Sequence, residues 1–413
     1  MNILIFEDSS FSDLFPLSIL RPVYDIKTGI LTNLERLEKI VPGKYKISLH
    51  CRNILSSYIS SIQKRNVNTI EREDYLLING RIFIDENILK LFLKKLPDNS
   101  AFVSGNCIIA AKISKQKLSF IKHKIENKNL DNTLNLKDFD NLKLNEFKNE
   151  IPIYNYVWDV IKNFDNVLNY DLDLIWDEKK KIKIPHTVSV INPDNIKISK
   201  SSKIATNVVL DAENGKIILD DNVTIEPFCF LKGPVFIGKN VLLKSGAKIY
   251  GHTMIGQGSK ITGEISGSIF HSNVNKQHDG FIGNSYACPF VNFGADTVTS
   301  NLKNNYSKVK VKFNSEMINT GMQFLGTIAG DHTKFGINTM LNTGTIAGIF
   351  ANIAGGGFPE KQIESFSWNI LGREPVRYKI DEALETAKSV MSRRHIDMTP
   401  ELENLIRENY KMV

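Results

Sequence analysis

The chain has 413 residues, of which 42% are hydrophobic and 23% are charged, and its formal net charge is +7. This composition is ordinary for a folded protein of two or more domains and excludes general disorder. The positive charge is spread as single lysines without a dense basic block, so we expect no nucleic-acid partner and a modest preference for anionic small substrates.

The first residues form a short apolar strand, Ile3–Phe6, which is followed at once by Glu7 and Asp8. This start has no basic segment and no apolar run long enough for export or for crossing a membrane. The four cysteines show no CxxC spacing, so neither a disulfide framework nor a zinc site is expected. Together these features predict a cytoplasmic protein without a membrane partner.

Residues 1–185 alternate short apolar runs with helical patterns, which predicts an α/β domain with a mainly parallel sheet. The predicted strands and helices are Ile3–Phe6, Tyr75–Ile78 and Ala101–Ala111, and Gly29–Ile40, Ile54–Lys64 and Asn87–Lys95. The stretch from Lys112 to Glu150 is rich in Lys, Asn and Leu with weak helical periodicity. It is predicted to be a peripheral helical insertion.

Residues 186–355 contain aliphatic residues at a spacing of six, which fits neither a helix nor a flat strand. The eight consecutive members are Leu219, Ile225, Leu231, Ile237, Leu243, Ile249, Ile255 and Ile261. Four residues after each of them stands a mostly small or β-branched residue, and Gly and Asn supply the corners. The pattern predicts a hexapeptide β-helix with triangular coils of roughly eighteen residues. The alternative is a β-sandwich with turn-rich strands.

The six-residue register breaks between about Gly267 and Asn319 and then returns, so the break is a candidate for inserted chemistry. Within it, His278 stands beside Asp279, and a His can accept a proton near neutral pH. Asn and Lys residues nearby could hold a sugar hydroxyl and a phosphate. Residues 356–413 form a helical tail, in which Tyr378–Arg393 is predicted to be an amphipathic helix.

Three motifs in the break, residues 276–280, 292–295 and 301–306, resemble a known family. This family is the left-handed β-helix of the bifunctional N-acetylglucosamine-1-phosphate uridyltransferase/glucosamine-1-phosphate N-acetyltransferase, especially a divergent bacterial branch of it. The resemblance implies an acetyl-CoA-dependent sugar acetyltransferase that works as a homotrimer. It further implies that His278 is the general base and that neighbouring residues bind the substrates. Asn292, Asn301, Tyr306 and Lys276 would bind the sugar substrate, and Gly294 and Ala295 would meet the acetyl group. One departure is Phe281, which stands where the better-known enzymes carry a Tyr.

The N-terminal domain resembles sugar-1-phosphate nucleotidyltransferases through residues 14–23, 76–81 and 156–159. This resemblance implies a sugar phosphate and a nucleoside triphosphate with Mg²⁺ as substrates. Here the usual Gly-rich loop, Lys and Asp are replaced by residues 6–10, Val23 and Arg81. The residues that would take over are Arg21 as the catalytic group, Lys27 and Asp159 for substrate, and Asp8 and Asn79 for the metal.

The sequence therefore predicts an enzyme of nucleotide-sugar biosynthesis in which a sugar-1-phosphate nucleotidyltransferase is joined to a sugar acetyltransferase. Two alternatives stay open. One is a single-activity enzyme with one silent domain, and the other is a non-catalytic trimeric scaffold that binds sugar nucleotides. The sequence names neither the nucleotide base nor the sugar.

Overall fold

The computed structural model describes residues 1–128, 131–176, 184–313 and 316–412. These residues form two compact units. The first unit contains residues 1–27, 31–159 and 399–412, and the second contains residues 28–30 and 160–398. The boundary predicted at residue 185 follows residues 177–183, which lie outside the described residues.

The first unit contains a six-stranded sheet. Its strands are β1 (Asn2–Phe6), β2 (Ile47–His50), β3 (Tyr75–Asn79), β4 (Ser100–Ser104), β5 (Cys107–Ile113) and β6 (Lys143–Glu146), in the spatial order β2-β1-β3-β5-β4-β6. Strands β2, β1 and β3 are parallel, as predicted, whereas β5 is antiparallel to both of its neighbours. The apolar run Ala101–Ala111 was predicted as one strand and is instead the hairpin β4–β5.

The described residues contain eight α-helices and four 3₁₀ turns. The helices are α1 (Asn33–Ile40), α2 (Asn53–Gln63), α3 (Glu86–Lys95), α4 (Ser119–Glu126), α5 (Asp159–Lys162), α6 (Phe164–Leu174), α7 (Ile380–Ser392) and α8 (Pro400–Met412), and the 3₁₀ turns are Ser9–Leu14, Val23–Asp25, Leu136–Phe139 and Pro193–Asn195. A capping box formed by Thr32 and Glu35 fixes the start of α1. Helix α8, which belongs to the first unit, packs on α2. In the part of the chain that the structure describes, no helix is long and apolar enough to cross a membrane.

The expectation of a peripheral helical insertion over Lys112–Glu150 is wrong for most of its described part. Ile121 and Ile125 of α4 are buried in the core of the first unit, and β6 pairs in parallel with β4 at the edge of the sheet. The Lys- and Asn-rich composition hid these elements because a short helix and an edge strand each need only a few apolar residues on one side. Residues 129–130 of this segment lie outside the described residues.

The second unit contains a left-handed β-helix with three faces, and within each face the strands of successive coils pair in parallel. Face 1 consists of Ser189–Ile191, Val209–Asp211, Phe230–Lys232, Lys248–Ile249, Glu264–Ser266 and Phe281–Gly283. Face 2 consists of Ile196–Ile198, Ile217–Leu219, Val235–Ile237, Thr253–Ile255, Ile269–Phe270, Tyr286–Ala287, Ile328–Ala329, Ile346–Ala347 and Gln362–Ile363. Face 3 consists of Lys203–Ile204, Thr224–Ile225, Leu242–Leu243, Lys260–Ile261, Asn275–Lys276, Asn292–Phe293, Lys334–Phe335, Asn352–Ala354, Ser367–Ile370 and the antiparallel Val376–Arg377. Val298–Thr299 pairs with Met340–Leu341, and Lys310–Phe313 forms a hairpin with Glu316–Asn319.

The predicted aliphatic ladder is confirmed, since all eight of its members are buried. Thr224 pairs with Leu242 and Leu242 pairs with Lys260, a separation of 18 residues each time. Each turn of the β-helix therefore stacks one aliphatic side chain on the next inside the coil. Asn222 and Asn240 have positive φ at the corners, as their side chains allow.

The predicted register break is also confirmed, but the β-helix continues through it with coils of unequal length. On face 3, Lys260 pairs with Asn275 after 15 residues, Asn275 with Asn292 after 17, and Asn292 with Lys334 after 42. The last of these coils contains the hairpin. The break therefore changes which side chains are stacked without ending the solenoid.

The stability that the neutral form of His50 contributes to the first unit is expected to be lost in mild acid. This side chain is buried, its Nε2 donates to the Asn132 carbonyl at 2.9 Å, and its Nδ1 has no partner. Burial lowers the pKa of His50 from 6.5 to about 4. The unfolded chain therefore takes up the proton first, so the His50 contribution is complete above about pH 6.5 and falls by roughly 3 kcal/mol as the pH drops toward 4.

Urea titrations of the full chain between pH 4 and 7 would measure this loss. His50→Gln keeps a donor for the Asn132 carbonyl and has no proton to gain in this range. Its stability relative to that of the wild type should therefore rise as the pH falls from 6.5 toward 4. An equal pH dependence in both proteins would contradict the assignment.

Candidate functional site

In the first unit, Asp8 lies just after β1 and is fully engaged by other side chains. Arg81 donates from Nε to Asp8 Oδ1 at 2.7 Å and from Nη2 to Oδ2 at 2.6 Å. The backbone N–H of Ser10 adds a contact to Oδ1 at 3.2 Å, and Asn79 Nδ2 adds one to Oδ2 at 2.8 Å. A carboxylate offers about four lone-pair positions, so these four donors use all of them.

Asn79 belongs to the same network. Its Nδ2 also donates to the Ile108 carbonyl at 2.9 Å, and its Oδ1 accepts from the Arg81 backbone N–H at 2.9 Å. Asp8 and Asn79, the two residues predicted to hold Mg²⁺, are 7% and 1% exposed. No cluster of three or more potential metal-ligating side chains occurs among the described residues. The donor set here does not fit a divalent cation.

A second buried ion pair, between Glu7 and Arg52, fixes the loop that follows β1. Arg52 Nη1 donates to Glu7 Oε1 at 2.6 Å, and the same oxygen accepts from the Val23 backbone N–H at 3.1 Å. Arg52 Nη2 also donates to the Ser18 carbonyl. Burial raises the pKa of Glu7 and the Arg52 charge opposes that rise. The pair thereby holds the backbone on both sides of Arg21.

The loop after β1 carries the predicted residues Arg21 and Lys27. Arg21 Nη1 donates to the Leu17 carbonyl at 2.7 Å, and Lys27 Nζ contacts Glu35 Oε2 at 3.1 Å. Between them, burial and the Glu35 charge raise the pKa of Asp25 to about 7, whereas Arg21 and Lys27 act to lower it. Asp25 was not predicted as a site residue, although it stands in the motif that carries the resemblance. A carboxyl group that titrates near neutral pH beside two cations is suited to proton transfer.

Asp159, predicted to bind substrate, accepts hydrogen bonds within the turn that precedes α5. Its Oδ2 accepts from the backbone N–H groups of Asn155 and Tyr156, both at 2.9 Å. The Tyr156 ring stacks on Trp158 with centroids 4.6 Å apart. These contacts give Asp159 a role in fixing the turn.

In the second unit, a polar row runs along the outside of face 3. It consists of Lys260, Asn275, Asn292 and Lys334, which are successive register partners. Asn275 Nδ2 donates to Asn292 Oδ1 at 2.7 Å, and Gln277 Nε2 donates to Asn275 Oδ1 at 2.7 Å. The predicted residue Asn292 thus lies in the middle of a hydrogen-bonded row of amides with a lysine at each end.

This row forms one wall of a cavity of about 370 Å³. The cavity is lined by Lys260, Asn273, Asn275, Gln277, Phe290, Asn292, Lys334, Val390, Arg393 and Arg394. Four of these side chains are cationic and none is acidic, and Val390, Arg393 and Arg394 come from the end of α7 and the residues after it. A cavity with this lining favours an anionic ligand.

The electrostatics of the cavity show that its cations repel one another. Burial lowers the pKa of Lys334 to about 7. Burial and the charges of Arg394 and Arg393 lower the pKa of Lys260. Burial and the Arg393 charge likewise lower the pKa of Arg394. A bound anion would relieve this repulsion, so the cavity is prepared for negative charge.

His278 lies in the turn that connects face 3 to face 1, and its side chain is exposed. Lys276, predicted to bind substrate, points into the coil at a position that the aliphatic ladder would otherwise fill, and it is fully buried. Its ammonium donates to the carbonyls of His278 and Asp279. Burial lowers the pKa of Lys276 to about 8, while Asp279 and Asp296 act to raise it. Lys276 therefore holds the turn that presents His278.

On the other side of this turn, Asn301 and Phe281 pack over Gly283. A Cβ at Gly283 would lie 2.4 Å from Phe281 Cζ and 2.7 Å from Asn301 Nδ2, so only glycine leaves room for both. Asn301 Nδ2 also donates to Asn284 Oδ1 at 2.7 Å. His278 thus stands between an amide row on face 3 and an aromatic and amide pair on face 1.

The remaining predicted residues lie in the coil that follows. Gly294 packs on the next coil, because a Cβ there would lie 2.6 Å from the Gly336 carbonyl carbon. Ala295 accepts from the Asn338 backbone N–H at 2.8 Å. The Tyr306 ring is exposed, and its backbone carbonyl accepts from Gln323. The structure therefore brings Asn292 into the cavity and Asn301 beside Phe281. Tyr306 makes its contact with Gln323 through its backbone.

The cavity cations were not predicted from the sequence. A signal was present, because Lys260, Asn275, Asn292 and Lys334 each precede an inward-pointing ladder residue. The unequal coil lengths of 15, 17 and 42 residues hid it, since a fixed period does not align these positions. Arg393 and Arg394 offered no periodic signal at all.

Comparisons with known proteins agree with this two-part architecture. Residues 3–180 match the family model described as sugar nucleotidyl transferase. A "Bifunctional sugar-1-phosphate nucleotidylyltransferase/acetyltransferase" of Sulfurisphaera tokodaii is 28% identical over 173 residues, which cover 41% of this chain and 42% of that protein. A "Bifunctional protein GlmU" of Methanococcus aeolicus is 26% identical over 299 residues, which cover 67% of this chain and 69% of that protein.

The alignment spans less than half of the S. tokodaii protein. The alignment with the M. aeolicus protein is too long to be confined to residues 3–180. Among solved structures, a UDP-N-acetylglucosamine acyltransferase from Campylobacter jejuni matches with 11% identity, covering 51% of this chain and 95% of that chain, at a TM-score of 0.25. That score is too low to support a conclusion. Residues 3–180 thus match the sugar nucleotidyl transferase family model, and the chain is similar to a "Bifunctional protein GlmU" over more residues than that match covers.

Proposed function

We propose that the chain is a two-domain enzyme of nucleotide-sugar biosynthesis. The N-terminal domain transfers a nucleotidyl group to a sugar 1-phosphate, and the β-helix transfers an acetyl group from acetyl-CoA to a sugar. The observation that supports the second activity is the cation-lined cavity, whose wall includes Gln277, the residue before His278. Its four positive side chains can bind the phosphates of CoA or of a sugar phosphate. Its side-chain amides can form hydrogen bonds with the uncharged polar groups of these ligands.

The acetyl transfer requires one proton movement that His278 is placed to perform. The acceptor nitrogen or oxygen attacks the thioester carbonyl, a bond to carbon forms, and the carbon–sulfur bond breaks. His278 takes the proton from the acceptor and returns it to the departing thiolate. Lys276 holds the turn through the His278 and Asp279 carbonyls, so the base is presented from a rigid corner.

In a single chain His278 is exposed, and desolvation of the base would need a further surface. We propose that a second copy of the chain supplies this surface in a homotrimer. Sedimentation equilibrium of the full chain would give the mass directly. A monomer with full acetyl-transfer activity would exclude the shared site.

In the N-terminal domain, Arg21, Lys27 and Asp25 are proposed to receive the phosphorylated substrates. The two cations would offset the negative charge that develops during transfer at phosphorus, and Asp25 has a pKa near neutrality. No step is assigned to a metal held by Asp8 and Asn79.

Both activities can be measured on the full chain. Acetyl transfer is followed as CoA thiol release with a panel of amino sugar and sugar 1-phosphates. Nucleotidyl transfer is followed as pyrophosphate release from UTP, GTP, CTP or dTTP, with and without Mg²⁺. The absence of any thiol release across the panel would contradict the acetyltransferase proposal.

Removing a cavity cation should weaken acetyl-CoA binding. Lys334→Met is expected to raise KM for acetyl-CoA about 10-fold while kcat changes little, because one charge-assisted contact is lost. The wild-type KM should also rise as the pH increases above about 7, where Lys334 loses its proton. Lys203→Met is a matched control, since Lys203 lies on face 3 at the far end from the cavity. An equal KM change in both variants would contradict the proposal.

A second candidate is an enzyme in which only the β-helix is active. The closed network around Asp8 favours it, because the Asp8 carboxylate offers no open oxygen for chemistry at a triphosphate. Thiol release without pyrophosphate release under all conditions would favour this candidate over the two-activity enzyme.

A further inference from the structure

Parallel α/β domains bind their ligands beyond the carboxyl ends of their strands. Asp8 lies just beyond the carboxyl end of β1. We infer that Arg81 takes the place of a divalent cation at this edge, so that the first unit binds its phosphorylated ligand without a metal held by Asp8 and Asn79. The identity of that ligand rests on the proposed function. The statement about the metal rests on the hydrogen bonds alone.

Asp8 has no free acceptor position for a metal ion. Mg²⁺ requires carboxylate or carbonyl oxygens with free lone pairs and short distances. All four acceptor positions of Asp8 are taken by donors of the protein, at 2.6 to 3.2 Å. A cation could bind only after one or more of these donors had left.

Hydrogen bonds fix the Arg81 side chain on every side. Its Nη1 donates to the Tyr154 carbonyl and to Asn155 Oδ1, both at 3.1 Å. Its Nη2 also contacts Cys107 Sγ at 3.5 Å. Together with the two bonds to Asp8, these contacts use all five guanidinium N–H groups. The side chain is 3% exposed and has no unoccupied donor that would favour its leaving.

The pairing of charges at the end of β1 also disfavours a bound metal. Glu7 and Asp8 are the acids at the end of β1, and Arg52 and Arg81 form ion pairs with them at 2.6 Å each. Each of these two buried acids therefore has its own arginine without any added ion. A third acid, Asp13, lies near Arg81: burial raises the pKa of Asp13 and the Arg81 charge opposes that rise. A metal would have to displace a buried guanidinium and leave it unpaired, which costs far more than an exposed ion pair can return.

The cations that remain available to a phosphorylated ligand are on the loop after β1. Arg21 and Lys27 are both partly exposed there. Guanidinium and ammonium groups bind phosphate oxygens directly, so this part of the site can recognise a sugar phosphate without a bridging metal.

Mn²⁺ titration of the full chain, followed by electron paramagnetic resonance of free Mn²⁺ and without any substrate, tests the inference. The wild type should bind no Mn²⁺ at the first unit, and Asp8→Asn should bind the same amount as the wild type. Arg81→Ala uncovers the Asp8 carboxylate and should gain one Mn²⁺ per chain that the wild type does not bind. The gain should disappear in the double variant Arg81→Ala/Asp8→Asn.

Arg72→Ala is the matched control, because it removes an exposed arginine of the same unit without uncovering a buried acid. It should bind no more Mn²⁺ than the wild type. A stoichiometric Mn²⁺ site in the wild type that Asp8→Asn abolishes would overturn the inference. So would a folded Arg81→Ala that gains no Mn²⁺. Neither result depends on pyrophosphate or thiol release, so failure of the proposed function is recognised separately.

Discussion

Replacing His278 with alanine is expected to lower kcat for acetyl transfer by about 10²- to 10⁴-fold, the range that general-base catalysis contributes. KM for acetyl-CoA should change little, because the cavity cations that we propose to bind its phosphates are untouched. The measurement is CoA thiol release at saturating acetyl-CoA.

His186→Ala is the control for this variant, since His186 is another exposed histidine of the second unit, outside the cavity lining. It should keep the wild-type rate. A His278→Ala protein with unchanged kcat would remove His278 as the base. The non-catalytic scaffold would regain support if no substrate in the panel were acetylated by the wild type either.

Arg52→Ala should destabilise the first unit by about 3–5 kcal/mol, since it leaves the Glu7 charge buried without its partner. Glu7 is 0% exposed, and Arg52 also holds the Ser18 carbonyl. The free energy of unfolding of the first unit, measured by urea titration of the full chain at pH 7, should show this loss.

Two comparisons separate the buried charge from the general loss of an arginine. The double variant Arg52→Met/Glu7→Gln removes both charges and should regain more than half of the stability. Arg65→Ala breaks the more exposed pair with Glu38 in the same unit and should cost at most about 1 kcal/mol. Equal losses in Arg52→Ala and Arg65→Ala would contradict the assignment.

The β-helix could be predicted from the sequence in detail because its period is local. Each inward residue from Leu219 to Ile261 repeats one physical requirement, a buried aliphatic group every six residues, and all of them are buried. The same regularity made the break at Gly267 visible. The role of His278 as a base was a prediction from resemblance and stays one.

The rest could not be predicted because it depends on residues that are distant in sequence. Asp8 and Arg81 are 73 residues apart, and only the fold shows that one saturates the other. Lys276 resembles a ligand for a phosphate, yet its place in the ladder turns its charge toward backbone carbonyls. The cavity cations come from coils of unequal length and from the residues after α7, which no short pattern combines.

Helix α8 is built from nearly the last residues of the chain, yet it belongs to the first compact unit and packs on α2. During synthesis the ribosome must therefore produce the whole β-helix before this unit has all of its parts. Until then the side of α2 that receives α8 is uncovered, and chaperone binding or early aggregation is expected there. The solenoid, whose coils contact only their neighbours, can meanwhile fold turn by turn as it emerges.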